Sequence, residues 1–240
     1  MIFIASEFHT FDEQHLITLA AIAASSVVVI WMARTATLLG RKWIGRLLAF
    51  LLLSYAVGFY IQQAIEHSLT WQYSLPLELC NLVSIACIVS LLRPNRLTTE
   101  IAYFWGLGGV VQATVTPDIT QGFPSLEYVL FFFSHGVTLI SIAFLISDRG
   151  FRVQKRSVLR MMLALNIYGL VVGVIDAVTG WNYGYLCRKP AMPSLLDFMG
   201  PWPWYLLSIE VLGLAIFLLL YLPWHFLSHG EKENALAADH

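Results

Sequence analysis

Leu75-Pro76-Leu77-Glu78-Leu79-Cys80-Asn81 opens an apolar run with a proline, then sets a carboxylate, a thiol and a carboxamide side by side. The plain reading is a helix start. Pro76 begins the helix, Glu78 and Asn81 cap it, and Cys80 packs as a small hydrophobe. The sharper reading depends on the surroundings. Ionisable groups kept inside a membrane segment are functional candidates by default, because they are expensive to hold there.

The surroundings are those of a membrane protein. Of 240 residues, 58% are hydrophobic and 12% charged, against about 25% charged in a soluble domain. The net charge of −1 suggests no nucleic-acid partner. Cys80, Cys87 and Cys187 show no ligand spacing, and a disulfide framework is not expected. Glu7, Asp12 and Glu13 precede the first apolar run, so the start does not read as a secretory signal.

Apolar runs predict an all-α polytopic integral membrane protein with seven transmembrane helices in one bundle. The expected spans are Leu16–Ala33, Ile44–Ile65, Leu77–Leu92, Ile101–Val115, Leu126–Ile146, Val158–Val178 and Trp204–Pro223. The third and fourth are short. The fourth carries Gly106-Leu107-Gly108-Gly109, and small residues let helices approach closely. Residues 1–229 form a single domain, and 230–240 read as a polar, frayed cytosolic tail. No internal repeat is evident.

Basic residues set the orientation. Twelve of the fourteen Lys and Arg follow odd-numbered spans, leaving Arg188 and Lys189 on the other side. The N-terminus is then outside and the C-terminus cytosolic. Trp71, Tyr73, Trp181, Tyr183, Tyr185, Trp202 and Trp204 form an outer aromatic belt.

Helix rise places four polar residues at one depth. Counting from the cytosolic end of each span, Cys80 and His135 lie about 20 Å up, Gln112 about 18 Å and Glu210 about 21 Å. Each has an ordinary explanation. His135 can bond a neighbouring carbonyl, while Glu210 and Gln112 can tie helices together. As a set they suggest catalysis. A thiol beside an imidazole can attack an ester. Glu210 would orient the ring. Gln112 or Asn81 would donate to the developing oxyanion. No metal or other cofactor is required. His9, His15, His67, His225 and His229 show no ligand spacing and read as surface histidines.

Several segments carry a resemblance. They are Leu75–Asn81, Gly108-Gly109-Val110-Val111-Gln112-Ala113, Thr116-Pro117-Asp118, Phe132-Phe133-Ser134-His135-Gly136, Asn182-Tyr183-Gly184-Tyr185-Leu186, Lys189-Pro190 and Gly200-Pro201-Trp202-Pro203-Trp204-Tyr205. The chain resembles the YwaF-type bacterial membrane proteins, relatives of the eukaryotic transmembrane protein 164 family. The resemblance implies a bacterial plasma-membrane protein. It also implies a lipid acyltransferase, or a related lipid-ester hydrolase, that moves phospholipid acyl groups through an acyl-cysteine. Cys80 matches the cysteine and His135 the histidine of that pair. Many relatives carry histidine where this chain has Glu78.

The outer rim completes the reading. Asp118, Asn182, Tyr183, Arg188 and Lys189 are the expected substrate-binding residues. Arg188 or Lys189 would hold a phospholipid phosphate. The plain alternative pairs Lys189 with Asp118 or Asp197 at the surface. A different class of function also fits: a small-solute transporter or sensor with a polar intramembrane pocket and a proton relay. Transporters commonly show repeated halves, so the missing repeat favours the enzyme.

Overall fold

The computed structural model describes residues 7–148, 150–191 and 194–238, with the side chains of 228–238 outside the description. Arg149 and the side chains of His229 and Lys232 therefore lie outside the described residues. The elements are α1 (Glu13–Thr35), α2 (Leu38–Ile65), the single turn α3 (Trp71–Ser74), α4 (Leu79–Leu92), α5 (Arg96–Trp105), a π turn (Gly106–Val110), α6 (Val111–Val115), α7 (Leu126–Ile146), α8 (Lys155–Thr179), two short 3-10 segments (Tyr183–Tyr185 and Leu195–Met199), and α9 (Trp204–Ala238). No strand occurs among the described residues.

Among the described residues, five helices are long and apolar enough to cross a membrane: α1, α2, α7, α8 and α9. Their outward faces carry large apolar side chains, among them Leu170 at 69%, Val178 at 82% and Leu219 at 64% exposure. A water-soluble surface does not present such continuous apolar cover, whereas lipid favours it. The other two expected spans take different forms. The third is α4, with 14 residues, which rises about 21 Å. The fourth becomes the upper part of a run from Arg96 to Val115, interrupted by the π turn.

Polar caps fix where the helices begin. Asp12 accepts from the His15 amide at the head of α1. Thr37 accepts from the Gly40 amide before α2, and Ser125 from the Tyr128 amide before α7. Each satisfies one of the donors that a helix N-terminus leaves free. Two expected boundaries change. α2 begins at Leu38, so the basic segment around Arg41 is already helical. The tail expected to fray continues as α9 to Ala238, straight through Pro223.

α7 is the axis of the bundle. Half of its span is buried, against about a tenth for α1 and α9. It packs against α1, α2, α4, α5, the π turn and α6. α8 joins through α5, and α9 through α8 and the π turn. The π turn lies against α7 where a side chain would collide. A Cβ added at Gly106 would run into Ile142 Cδ1 and close on Val83 Cγ1. Both neighbours are fully buried, so neither can swing aside. Gly106→Ala is therefore expected to destabilise the bundle by about 1–3 kcal/mol, the ordinary cost of overpacking a core, read as a lower thermal midpoint in detergent.

His15 corrects a sequence expectation. It is fully buried, not a surface residue. Its Nδ1 accepts from the Phe11 amide at 3.0 Å, and its Nε2–H donates to the Thr114 carbonyl at 3.0 Å. Phe8, Phe11 and Phe132 surround the ring. A neutral imidazole with both nitrogens satisfied ties α1 to α6 and is a core residue.

Candidate functional site

A cavity of about 520 Å³ opens between α2, α4 and α7. Glu78, Cys80 and Asn81 line it from the start of α4, and Ser134, His135 and Thr138 from α7. Tyr55 and Tyr60 line it from α2, and Asn182, Tyr183 and Arg188 from the loop after α8. The motif that opens the sequence reading thus forms one wall, and the Ser134-His135 pair forms another.

Cys80 is the second residue of α4. The Asn81 and Leu82 amides bond the Glu78 carbonyl, at 3.0 Å and 3.2 Å, and the Leu79 and Cys80 amides before them have no acceptor within the helix. Glu78 occupies the N-cap position but makes no side-chain cap bond. Its Oε2 instead accepts from the Gly184 amide at 3.1 Å. The expectation that Glu78 caps the helix is therefore corrected: this carboxylate anchors the loop above.

The His135 ring is held from its own helix. Nδ1 lies 2.9 Å from the Phe131 carbonyl, which can only accept. In the neutral ring Nδ1 therefore carries the proton, and Nε2 keeps its lone pair. Phe131 stacks on the ring at 4.0 Å between centroids. Ser134 Oγ adds a contact to Nδ1 at 3.2 Å. A backbone carbonyl thus occupies the orienting position that the sequence reading gave to Glu210.

Below the pair, two hydroxyls join the helices. Ser84 Oγ lies 3.0 Å from the Cys80 carbonyl, and Thr138 Oγ1 lies 2.8 Å from the Ser134 carbonyl. The two hydroxyl oxygens lie 2.9 Å apart, so one gives its hydrogen to the other while the second keeps its own for its carbonyl. This contact pins the turn bearing Cys80 to the turn bearing His135. Neither hydroxyl was singled out from sequence. The available signal was spacing: Ser84 lies four residues after Cys80 and Thr138 three after His135, hence on the same helix face.

The loop over the cavity is latched by three carboxylates. The Tyr183 amide donates to Asp176 Oδ1 at 3.0 Å, the Gly184 amide to Glu78, and the Tyr185 hydroxyl to Asp118 Oδ2 at 2.8 Å. Gly184 sits at φ +60, and a Cβ there would meet Tyr168 Oη at 3.0 Å. Burial pushes the phenol of Tyr183 up, as does Glu78 nearby. Burial and the bond to Asp118 do the same for Tyr185. Both phenols therefore stay neutral donors. Tyr183 Oη reaches the Trp71 carbonyl at 3.3 Å and ties the loop to α3.

The expected substrate-binding residues separate into two groups. Asn182, Tyr183 and Arg188 line the cavity. Asn182 also shapes the loop, its Oδ1 accepting from the Cys187 and Arg188 amides. Asp118 is the partner of Tyr185. Lys189 lies outside the cavity lining, with Nζ 4.0 Å from Asp197 Oδ1 and over the Tyr205 ring. Its surroundings match the plain alternative.

Gln112 and Glu210 do not join the group. Gln112 is exposed and donates to Thr116 Oγ1 at 2.9 Å. Glu210 Oε1 accepts from Asn166 Nδ2 at 2.7 Å, between α8 and α9. Neither lines the cavity. Helix rise fixes height along a helix but not the face presented, and α9 packs away from α2 and α4.

Fold and composition together define a multi-pass helical membrane protein. The sequence profile of the TMEM164 family matches residues 10–221. The chain belongs to that family. No curated protein matches it, and no solved structure does.

Proposed function

We propose that the protein is an integral-membrane acyltransferase or lipid-ester hydrolase working through an acyl-cysteine at Cys80. One observation carries the reading: Cys80, His135 and Arg188 line one cavity. The bundle is read as seven spans in a bacterial plasma membrane, the five long helices plus α4 and the Arg96–Val115 run. The N-terminus is outside and the C-terminus cytosolic, and residues 230–240 form the cytosolic end of the chain. The cavity mouth then faces the outer leaflet.

In this reading His135 Nε2 takes the thiol proton, and Cys80 Sγ attacks the ester carbonyl of a phospholipid. The Leu79 and Cys80 amides at the start of α4 and the Asn81 carboxamide stabilise the oxyanion. The carbon–oxygen bond to the glycerol breaks, and that oxygen leaves with the proton from His135. An acyl-cysteine remains. A lysolipid hydroxyl or water then gives its proton to His135 and attacks the thioester, freeing Cys80. Mass spectrometry of the purified protein after incubation with phospholipid tests this: the expected product is an acyl thioester on Cys80. A protein never acylated there, with exchange unchanged in Cys80→Ala, leaves the transporter or sensor reading in possession.

Arg188 is the phosphate ligand in this scheme. Its guanidinium offers a planar fork to an anionic head group at the mouth. Arg188→Ala is expected to weaken phospholipid binding about tenfold, at the low end for a charge-assisted bond because the residue is exposed. Lys189→Ala is expected to change it little. Binding of a fluorescent phospholipid to protein in nanodiscs measures both.

A further inference from the structure

Besides the mouth at Arg188, the cavity has a side opening, set by the faces that α2 and α4 turn to lipid. On α4, Ile85, Val89 and Leu92 form one stripe at helical spacing and are 44%, 40% and 56% exposed. Val89 and Leu92 lie outside the cavity lining, so this stripe is the lipid-facing side of α4. Ile85 belongs to the stripe and lines the cavity as well. On α2 the exposed stripe is Leu53, Val57 and Tyr60, and Tyr60 also lines the cavity. The other flank of α2 is closed by α7, where the Tyr55 ring packs on Phe133 at 6.4 Å between centroids. The cavity therefore emerges on the lipid-facing surface between Tyr60 and Ile85. This cleft is bounded at both ends. At the end remote from Cys80, Gly45 lets α2 press on α4, since a Cβ there would stand 3.5 Å from the Leu91 carbonyl oxygen. At the Cys80 end the turn α3 closes it, held by the Tyr60 hydroxyl donating to the Ser74 carbonyl at 2.8 Å.

We infer that a phospholipid reaches Cys80 sideways through this cleft, its ester passing between Tyr60 and Ile85 while its acyl chains stay in the bilayer. The inference rests on reading the cavity as an acyl-ester site, and it adds the route and the face presented to lipid. A chain dissolved in hydrocarbon gains nothing hydrophobic by moving into an apolar cavity. Drawing it out through water would expose its methylenes one after another. The lateral cleft requires neither. Only the ester and head group leave the lipid, and they meet Asn81 and Arg188 in the cavity wall.

The test compares two maleimides on protein in nanodiscs, with labelling of Cys80 read by peptide mass spectrometry. One is a long-chain N-alkyl maleimide dissolved in the bilayer, the other a sulfonated maleimide added from water. Ile85→Trp is expected to slow the bilayer reagent about tenfold, the scale of crowding one bulky side chain into a filled space. The sulfonated reagent, entering past Arg188, is expected to stay within about twofold of the parent. Val89→Trp, one turn on along the same stripe and outside the cavity lining, is expected to leave both reagents within about twofold. Ile85→Ala is expected to speed the bilayer reagent, which covers the case in which the larger side chain disturbs folding. Three results overturn the inference: a bilayer reagent that does not reach Cys80 in the parent, rates unchanged in both Ile85 variants, or Ile85→Trp slowing both reagents alike. Cys80 acylation by phospholipid, measured on the same preparations, reports separately on the catalytic reading. A missing thioester beside a labelling rate that follows Ile85 removes the chemistry and leaves the lateral route.

Discussion

Cys80→Ala is expected to lose acyl exchange by about 10⁴-fold or more, the scale on which removing a covalent nucleophile acts. His135→Ala is expected to lose about 10²–10⁴-fold, as for removal of a general base. The two should not add, because they act on one step. Folding should survive both. The Cys80 side chain lines the cavity and is only partly buried at the edge of the core. His135 is held by a bond within its own helix, to the Phe131 carbonyl. Acyl transfer between phospholipids in reconstituted vesicles, with the thermal midpoint as a folding control, separates chemistry from stability. Cys80→Ser is the informative intermediate. It keeps the size and a hydroxyl but loses the easily ionised thiol, and is expected to fall close to Cys80→Ala. Exchange persisting in both variants would remove Cys80 from the mechanism.

A Ser84→Ala, Thr138→Val double variant probes the frame around that pair. It keeps both reactive groups and breaks the bridge between their helix turns. Exchange is expected to fall about tenfold or more, since small misplacements of reacting groups are costly. The loss should appear in kcat more than in KM, and Cys80 should still react with maleimide.

How far the sequence could be read depended on the kind of information needed. The five long spans were legible from apolar runs, because bilayer thickness imposes a length on them. The Cys80 and His135 walls were legible because both motifs place polar groups inside such runs. Gln112 and Glu210 were read as neighbours of His135 from height alone, and neither lines the cavity. Height follows from rise alone, whereas facing depends on how neighbouring helices pack. The π turn adds a further break, since it changes the angular register between α5 and α6. His15 was misread for a related reason. It lies near a helix start, yet Phe8, Phe11 and Phe132 fold over it. The latch of the covering loop was hidden because two of its donors are backbone amides, which carry no residue identity.

The largest stability effect is expected at Glu100, which sequence reasoning used only as a marker of depth. Its side chain is fully buried at the end of the bundle remote from Cys80. Arg96 Nε and Arg160 Nη2 each bond its Oε1, at 2.9 Å and 2.8 Å, and Ser157 Oγ joins them at 2.8 Å. The carboxylate therefore fastens α5 to α8. Removing it leaves two half-exposed guanidinium groups and a buried hydroxyl without their shared acceptor. Glu100→Ala is expected to cost about 3 kcal/mol, the low end for breaking a buried ion pair because both arginines remain half exposed to solvent. Arg96→Gln should cost less, since Arg160 still neutralises the carboxylate. Ser157→Ala should cost about 1 kcal/mol, the net worth of one hydrogen bond. Thermal unfolding in detergent gives the order, and Arg96→Gln proving as damaging as Glu100→Ala would contradict it. The effect should stop at stability. Cys80 and His135 are fixed by bonds within α4 and α7 and by the Ser84–Thr138 contact, and the α8 bond near Cys80, from Tyr168 Oη to the Leu77 carbonyl at 2.8 Å, lies about two turns along α8 from Arg160. The folded fraction of Glu100→Ala is therefore expected to show the same Cys80 reactivity per folded molecule as the parent. A fold-correct variant with an altered Cys80 would mean that α5, through the π turn, sets the cavity walls as well as the packing of the bundle.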